Sequence, residues 1–363
     1  MEYYLIISKD CNLQCTYCYR AKGSIANAQL DHDLIKKVSD FILSDSTGNK
    51  RVTFHGGEPL LHQDIMKRLI ATFEGRGIMN ILYTNGTLLD RIDPWILQRV
   101  QCITVSIDGC KDIHDKYRGK GTYDNIIGNV KRIRSIYNGH IMGRITLSID
   151  SESSLGRSVM SLIDMNIFDS VNWQIQNSPG PFSETLLAQF LERYKQELSG
   201  VVKQWLRVLD TGKVLNILPV QCAVRTWLLR ESFETFRCGC GTRLVFVDLT
   251  EGGTCYACDE LVDDGLFKIG SVHHGVVMPY NLKHCSINKE CARCEIKSFC
   301  GGRCLRSCVV LPKNMFYFYC ETVKTMHDSV SHYIADIEKC LSVKQYLRSD
   351  VLCSALDLVE GIP

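Results

Sequence analysis

The residues of this chain that can do chemistry are above all its cysteines, of which there are 19 in 363 residues. Three of them stand close together at Cys11, Cys15 and Cys18. Three thiolates in one loop can bind three irons of a [4Fe–4S] cluster, and the fourth iron then stays open for a substrate. The alternative is zinc, but structural zinc takes four ligands and the segment has no obvious fourth. We therefore expect a catalytic iron–sulfur cluster in this loop.

A second string of cysteines lies near the C-terminus and has a specific spacing. It consists of Cys291, Cys294, Cys300, Cys304 and Cys320. A four-Cys zinc site would use the first four and leave Cys320 unexplained. The segment Gly301-Gly302-Arg303 between the third and fourth cysteines supplies closely spaced amides that can donate to cluster sulfurs. This string also favours an iron–sulfur site.

The overall composition is that of an ordinary globular protein. The formal net charge is +2, and 45% of the residues are hydrophobic, so no charge excess indicates nucleic acid or an anionic membrane as partner. No apolar run reaches the ~18 residues of a membrane helix, and the first residues lack the pattern of a signal peptide. Disulfide scaffolds are mostly short secreted chains, so clustered thiols here indicate metal ligands. We expect a cytoplasmic protein.

The elements that position these cysteines alternate in the first half of the chain. The predicted strands are Tyr3–Ile7, Val52–His55, Asn80–Tyr83, Ile103–Ile107, Ile145–Ile149 and Val171–Ile175. The predicted helices are Leu30–Leu43, Asp64–Phe73, Pro94–Val100, Tyr123–Ile136 and Leu186–Val208. This alternation favours an α/β fold with a parallel, barrel-like sheet, whose chemistry lies at the C-terminal ends of the strands.

The second half differs in character and suggests further domains. We expect a barrel over 1–208, a connector with little pattern over 209–237, a Cys-rich domain over 238–325, and a helix and tail over 326–363. The Cys-rich segment is too poor in apolar runs for a large core, so metal clusters would organise it. Apolar residues at helical spacing from Val323 to Leu341 predict one final helix.

The first cysteine motif and the ends of the later strands resemble the radical S-adenosylmethionine (SAM) family. Cys11-x3-Cys15-x2-Cys18 is followed by an aromatic residue, and His55-Gly56-Gly57-Glu58-Pro59 follows the second strand. The resemblance covers roughly residues 1–180 and implies a partial (β/α)6 TIM-like barrel. It also implies SAM-binding positions at Tyr19, Gly56, Gly57, Glu58, Asn85, Ser106, Asp108 and Arg118.

The chemistry that this resemblance implies is the one-electron cleavage of SAM. A reduced cluster passes an electron into SAM, and the resulting 5′-deoxyadenosyl radical abstracts hydrogen from a C–H bond of the substrate. The glycines after the second strand would let the backbone approach SAM, and Arg118 would pair with the SAM carboxylate. A low-potential donor such as ferredoxin or flavodoxin would supply the electron.

The second cysteine string resembles the SPASM domain of radical SAM maturases, which implies two auxiliary [4Fe–4S] clusters and three clusters in all. The outer cluster would be held by Cys291, Cys294, Cys300 and Cys320. The inner cluster would be held by Cys238, Cys240, Cys258 and Cys304. The Cys238-Gly-Cys240 spacing is tighter than the family pattern. Three other cysteines therefore stay open as inner ligands, namely Cys255, Cys285 and Cys308.

Asp259 directly follows an expected cluster ligand, Cys258. In anaerobic sulfatase maturases, which the chain resembles, an Asp after the corresponding Cys is a proposed base for the substrate proton. A solvated loop residue is the alternative. Asp259 would be a base if burial near the cluster perturbed its pKa.

A SPASM domain implies a peptide or protein substrate, with oxidation or cross-linking of one of its residues as the reaction. Cys11 stands ten residues after Met1, so we expect the substrate to be recognised by the barrel, by 150–237 or by a separate peptide-recognition protein. Two alternatives stay open. The first is oxidation of a sugar-like alcohol, and the second is a zinc-stabilised interaction protein without activity.

Overall fold

The computed structural model describes residues 1–20, 32–177, 180, 182–233, 236–277 and 289–352. The chain forms two compact units. The first unit contains Met1–Ile107, His114–Met142 and Gly239–Lys283, and the second contains Asp108–Ile113, Gly143–Cys238 and His284–Pro363. The domain boundaries expected from the sequence stay predictions.

Strands and helices alternate along the first half, as the sequence predicts. The strands are β1 (Glu2–Ser8), β2 (Lys50–Gly56), β3 (Ile78–Thr84), β4 (Cys102–Ser106), β5 (His140–Leu147), β6 (Ser170–Ile175), β7 (Leu244–Asp248), β8 (Thr254–Tyr256), β9 (Lys268–Ser271) and β10 (Gly275–Val276). The α-helices are His32–Ser44, Gln63–Phe73, Pro94–Leu97, Lys111–Arg118, Thr122–Arg134, Leu155–Asp164, Glu184–Asp210, Leu218–Leu229, Lys289–Ala292, Lys297–Cys300, Leu305–Val309, Lys313–Ser331, Ile334–Val343 and Arg348–Val351. The short 3-10 helices are Pro59–His62, Leu89–Arg91, Leu249–Glu251, Asp259–Leu261, Gly265–Phe267 and Gln345–Leu347.

The first unit is built on a mixed sheet in the order β10-β9-β8-β7-β1-β2-β3-β4. Strands β1 to β4 pair in parallel, and β7 adds to the free edge of β1, also in parallel. Strands β7 to β10 then continue by antiparallel pairing. Strand β1 has a strand on each side, and its successive central residues Leu5 and Ile6, which point to opposite faces of the sheet, are both fully buried. The mixed α/β fold confirms the expected fold class.

Amphipathic helices cover this sheet because their apolar residues recur at helical spacing. The helix His32–Ser44 buries Ile35, Val38 and Ile42. Each fully buried aliphatic side chain stabilises the fold by about 1.5–3 kcal/mol relative to exposure. The packing fixes the strands, and the strand ends carry the loops of the candidate site.

The second unit has a helical core in which Glu184–Asp210 packs against Lys313–Ser331. The connector expected over 209–237 is not patternless, because it contains the helix Leu218–Leu229. Nearly every residue in the first two turns of that helix is buried, so it lacks the polar stripe that makes a helix recognisable from sequence. The prediction of a single final helix is also wrong, because the chain forms two helices there, one ending at Ser331 and the next beginning at Ile334.

Within the described part of the chain, no helix has the length and the apolar character that crossing a membrane requires.

Candidate functional site

The three-cysteine loop begins directly after β1 and presents its thiols at the surface. Cys11 and Cys18 are exposed and Cys15 is half-buried. The loop is held by backbone bonds, since Cys18 N–H donates to Cys15 O at 3.2 Å and Thr16 N–H donates to Tyr117 O at 2.9 Å. The thiols are therefore accessible to a metal cluster on a fixed backbone.

The surroundings of Cys11 suit a metal-bound thiolate. The Leu13 amide lies 3.4 Å from Cys11 Sγ, and Asn85 Nδ2 lies 3.8 Å from it. Cys11 is exposed, but neighbouring groups partly desolvate its thiol and raise its pKa, while these two donors lower that pKa. Sulfur atoms that accept such hydrogen bonds are typical of cluster ligands. The donor set thus fits the cluster that the sequence predicts.

The two glycines at the end of β2 bring its backbone against the cysteine loop. Gly57 N–H donates to Ser8 O at 2.8 Å, and Glu58 N–H donates to Asp10 O at 2.7 Å. A Cβ atom on Gly57 would lie 1.9 Å from Asp10 O. Gly56 has φ +135°, and a Cβ atom on it would lie 2.2 Å from Ser8 O. Only glycine fits this approach, so the two loops hold each other in place.

Glu58 is fully buried, and its carboxylate is bonded to other groups of the protein. It accepts hydrogen bonds from Leu60 N–H at 3.0 Å, Thr84 Oγ1 at 2.8 Å and Asn85 N–H at 2.7 Å. Burial raises the pKa of Glu58 to about 6, although these donors oppose that shift. We propose that Glu58 serves a SAM site by fixing the end of β3 rather than through contact of its own side chain.

Asn85 and Arg118 hold the cysteine loop from its other side. Asn85 Nδ2 donates to Asn12 Oδ1 at 2.8 Å, so the side chain after β3 is bonded to the loop itself. The largely buried Arg118 guanidinium lies 5.3 Å from the centre of the Tyr17 ring. Both residues therefore contact the loop that carries the cysteines. Their roles in binding SAM stay predictions.

Ser106 and Asp108 follow the fourth strand but lie in different units. Ser106 ends β4 and is half-buried. In the second unit, the buried Asp108 carboxylate accepts a hydrogen bond from Thr146 N–H at 2.9 Å, and its carbonyl accepts one from Ser158 Oγ at 3.0 Å. Asp108 thus holds the end of β5, and its contact with SAM stays a prediction.

In the second unit, four cysteines of the C-terminal string line one pocket. They are Cys291, Cys294, Cys300 and Cys320. Burial and the neighbouring thiols raise the pKa of Cys291 to about 11 and that of Cys320 to about 12. Crowded buried thiols become favourable as thiolates when a metal binds them. This donor set fits the outer cluster, and it is the set that the family pattern implies.

The structure does not single out which cysteines would be the ligands of the inner cluster. In the first unit Cys240, Cys255 and Cys258 are buried, and in the second unit Cys238 is buried and Cys304 half-buried. Burial raises the pKa of Cys255 to about 12, and its thiol donates to Gly253 O at 3.7 Å. Cys255 thus resembles a neutral core residue of β8.

Two further cysteines were left open as inner ligands. Cys308 in the second unit donates its thiol hydrogen to Gly302 O at 3.3 Å. Cys285 lies outside the described residues. The inner ligand set therefore stays a prediction.

The comparison with protein families decides what the N-terminal site is. The model of the radical SAM superfamily matches residues 5–152. The chain contains a radical SAM domain. The matched segment contains the loop with Cys11, Cys15 and Cys18 and the strand ends that carry the sequence resemblance.

Individual relatives extend the likeness beyond the radical SAM domain. A cysteine-type anaerobic sulfatase-maturating enzyme of Clostridium perfringens is 23% identical over 331 residues, which are 82% of this chain and 87% of that enzyme. The Fe-coproporphyrin III synthase of Methanosarcina barkeri is 32% identical, but the match spans 32% of this chain and 30% of that enzyme.

The similarity also holds for a solved structure over nearly the whole length. The structure of anSMEcpe with bound AdoMet and the Cp18Cys peptide superposes with a TM-score of 0.74 at 19% identity. The superposition covers 96% of this chain and 99% of that one. The fold is thus that of a radical SAM enzyme with a Cys-rich, SPASM-type C-terminal part.

Asp259 is the centre of a polar cluster rather than a solvated loop residue. Its carboxylate accepts hydrogen bonds from Arg20 Nη2 at 2.5 Å and from the Tyr19 hydroxyl, and it lies 3.0 Å from His55 Nε2. Burial alone raises the pKa of Asp259, but Arg20, His55 and Tyr19 outweigh it and hold that pKa well below its usual range. A carboxylate so strongly ionised is a weak base, so its geometry favours an anchor for the segment after Cys18.

Replacing Asp259 by Asn tests this arrangement. Loss of the charge leaves the largely buried Arg20 unpaired, and breaking a buried ion pair in this way costs about 3 kcal/mol. We expect SAM cleavage and product formation to decrease together, because Tyr19 directly follows Cys18. The measurement is the yield of 5′-deoxyadenosine and of product under reducing conditions.

The matched control is Asp264→Asn, because Asp264 caps the next turn at Leu266 N–H and Asn caps as well as Asp. A general base would behave differently. Its removal lowers product formation by roughly 10²–10⁴-fold and leaves SAM cleavage intact. That pattern in Asp259→Asn would contradict the anchoring role.

Sequence reasoning missed a buried lysine beside the cysteine loop. Lys9 Nζ lies 3.1 Å from Asp248, 3.3 Å from Glu251 and 2.6 Å from Asp263. These three carboxylates are close enough to hold a cation, and the lysine ammonium already occupies the position. No sequence signal reveals the cluster, because Lys9 lies some 240 residues before the three carboxylates that it contacts.

Proposed function

We propose that this protein is a radical SAM enzyme that modifies a residue of a peptide or protein by oxidation or cross-linking. The observation that carries the proposal is the match to peptide-bound anSMEcpe over almost the entire chain, together with the three-cysteine loop against Gly57. The sulfatase-maturating relative supports the same class of substrate. The reaction removes hydrogen from a C–H bond of the bound residue.

The cofactors in this proposal are SAM and three [4Fe–4S] clusters. A cluster held by Cys11, Cys15 and Cys18 would, together with SAM, supply the electron and the radical chemistry that breaks a C–H bond. The protein's own residues hold the cysteine loop in position. Asn85 and Arg118 keep the cysteine loop fixed, and Gly57 holds it against β2. Asp259 orients Tyr19 and Arg20 after the last ligand.

The two auxiliary clusters belong to the same proposal. The pocket formed by Cys291, Cys294, Cys300 and Cys320 would hold the outer cluster with all four ligands from the protein. A fully ligated cluster has no open iron, so it can only accept or pass an electron. The inner cluster would take Cys238, Cys240, Cys258 and Cys304.

The proposed partners follow from the chemistry. A ferredoxin or flavodoxin would deliver low-potential electrons in the cytoplasm, and a separate protein could present the peptide. The proposal needs no nucleic acid and no membrane.

An isotopic experiment tests the substrate class. The anaerobically reconstituted, reduced enzyme is incubated with SAM and a peptide that carries a central Cys deuterated at Cβ, and with its Ser counterpart. We expect deuterium in 5′-deoxyadenosine and a matching mass loss in one of these peptides, since the radical takes the hydrogen it removes. The Cys11, Cys15 and Cys18 triple Ala variant is the control without transfer.

The alternative function gives the opposite result. Deuterium transfer only from a labelled amino sugar or polyol, with all peptides unchanged, would replace the maturase with an alcohol-oxidising enzyme. Abundant zinc without iron and without SAM cleavage would indicate the interaction protein.

A further inference from the structure

The pocket of the outer cysteines contains a strained turn that precedes Cys304. Gly301, Gly302 and Arg303 all have left-handed backbone conformations, with φ of 63°, 77° and 57°. Glycine adopts this region freely, but a residue with a side chain is strained there. Within this turn the Arg303 N–H donates to Cys300 O at 3.1 Å. The strain at Arg303 indicates that its side chain has a purpose at this position.

The Arg303 side chain is held over the pocket by neutral neighbours. Its guanidinium lies 4.2 Å from the centre of the Tyr319 ring, and Nη1 donates to Ser307 Oγ at 2.8 Å. Its Nε is buried without a hydrogen-bond partner. In the described parts of the chain, no carboxylate forms an ion pair with Arg303. It lines the pocket together with the cysteine ligands of the expected outer cluster.

A guanidinium without a carboxylate in such a place needs another anion. Arg303 is half-buried and its Nε is removed from water, and a cation that loses part of its hydration is normally paired. The neighbouring groups that can become anionic are the cysteines that line the same pocket as Arg303, namely Cys291, Cys294, Cys300 and Cys320. Four thiolates around a [4Fe–4S] core leave a net negative charge in both oxidation states. The missing anion is therefore the cluster itself.

A fixed cation has a consequence for electron transfer. When the cluster takes up one electron, its negative charge increases by one, and a nearby positive charge stabilises the reduced form more than the oxidised form. We propose that Arg303 is the counter-charge of the outer cluster and raises its reduction potential, so that this cluster is an electron acceptor. Arg303 is thus a positioning residue for electron flow. The inference rests on the outer cluster of the proposed function.

The test is a redox titration of the full-length chain that lacks the SAM cluster through the Cys11, Cys15 and Cys18 Ala substitutions. Auxiliary clusters are reconstituted with iron and sulfide, and the reduced signals are followed by EPR at set potentials. In Arg303→Gln we expect the midpoint of one cluster to shift to a more negative potential. Arg303→Lys keeps the charge and should stay near the parent value.

Lys324→Gln is the matched control on the same pocket. Lys324 also lines it, but its side chain is 45% exposed and pairs with Glu321 at 2.7 Å. Solvent and this partner screen its charge, so the midpoint should hardly move. The signal that belongs to the outer cluster is the one that Cys294→Ala removes.

The possible outcomes separate this inference from the proposed function. An unchanged midpoint in an iron-replete Arg303→Gln protein would overturn the counter-charge role and leave the clusters in place. Loss of the cluster in the Gln variant, with retention in the Lys variant, supports the role, whereas loss in both overturns it. If Cys294→Ala removed no iron, the outer cluster of the proposed function would itself fail.

Discussion

Replacing Cys11, Cys15 and Cys18 together by Ala is expected to remove about one third of the iron and all SAM cleavage. These cysteines hold one of three proposed clusters, and their loop belongs to the radical SAM domain. The other two clusters use cysteines from 238 onward and should stay. The measurement is the iron content after anaerobic reconstitution, with 5′-deoxyadenosine formation as the activity.

Cys102→Ala is the control for this variant. Cys102 is a buried cysteine in β4 that no cluster is proposed to use, so its loss should change neither iron content nor SAM cleavage. A triple variant that kept its full iron content would contradict the assignment of the loop.

The second large effect is expected from one methyl group, in Gly57→Ala. The new Cβ would lie 1.9 Å from Asp10 O, and the nearest obstacle is backbone, which cannot rotate away. The cysteine loop must then shift by about an ångström, and a misplacement of that size can lower a rate by roughly 100-fold. We expect SAM cleavage to fall accordingly while the auxiliary clusters stay intact.

Gly128→Ala provides the matched comparison. Gly128 lies in the helix Thr122–Arg134, and a Cβ there meets no atom within 4 Å. In a helix, Ala is favoured over Gly by about 0.5–1 kcal/mol, so this variant should keep its activity and gain slightly in stability. Equal SAM cleavage by the Gly57 and Gly128 variants would show that the close approach of the two loops has no part in the reaction.

The N-terminal strands could be predicted from the sequence for a physical reason. Local periodicity reports which residues face the core, and parallel strands bring their C-terminal ends to one edge. The predicted strand Tyr3–Ile7 is confirmed within β1, and the predicted helix Asp64–Phe73 begins one residue earlier. The four cysteines that the family pattern assigns to an outer cluster line one pocket, and their role as ligands stays a prediction.

The remainder depends on contacts between distant parts of the chain. Nothing in residues 244–248 indicates that β7 pairs with β1, because the sequence of one strand does not specify which other strand it pairs with. Asp259 meets Tyr19 and His55 only through this pairing, so its surroundings could not be derived. The hydrogen bonds of Glu58 could not be derived for the same reason, since its donors Thr84 and Asn85 lie at the end of another strand.

The insertion of β7 beside β1 also sets an order for biosynthesis. During translation at about 5–20 residues per second, β1 emerges roughly 10–50 s before β7. Over that interval one side of β1 has unpaired backbone groups, and such an edge is a template for pairing with other chains. The nascent chain therefore carries an aggregation hazard that ends only when residues 244–248 leave the ribosome. A truncated product that stops before β7 should be insoluble even though its radical SAM motifs are complete.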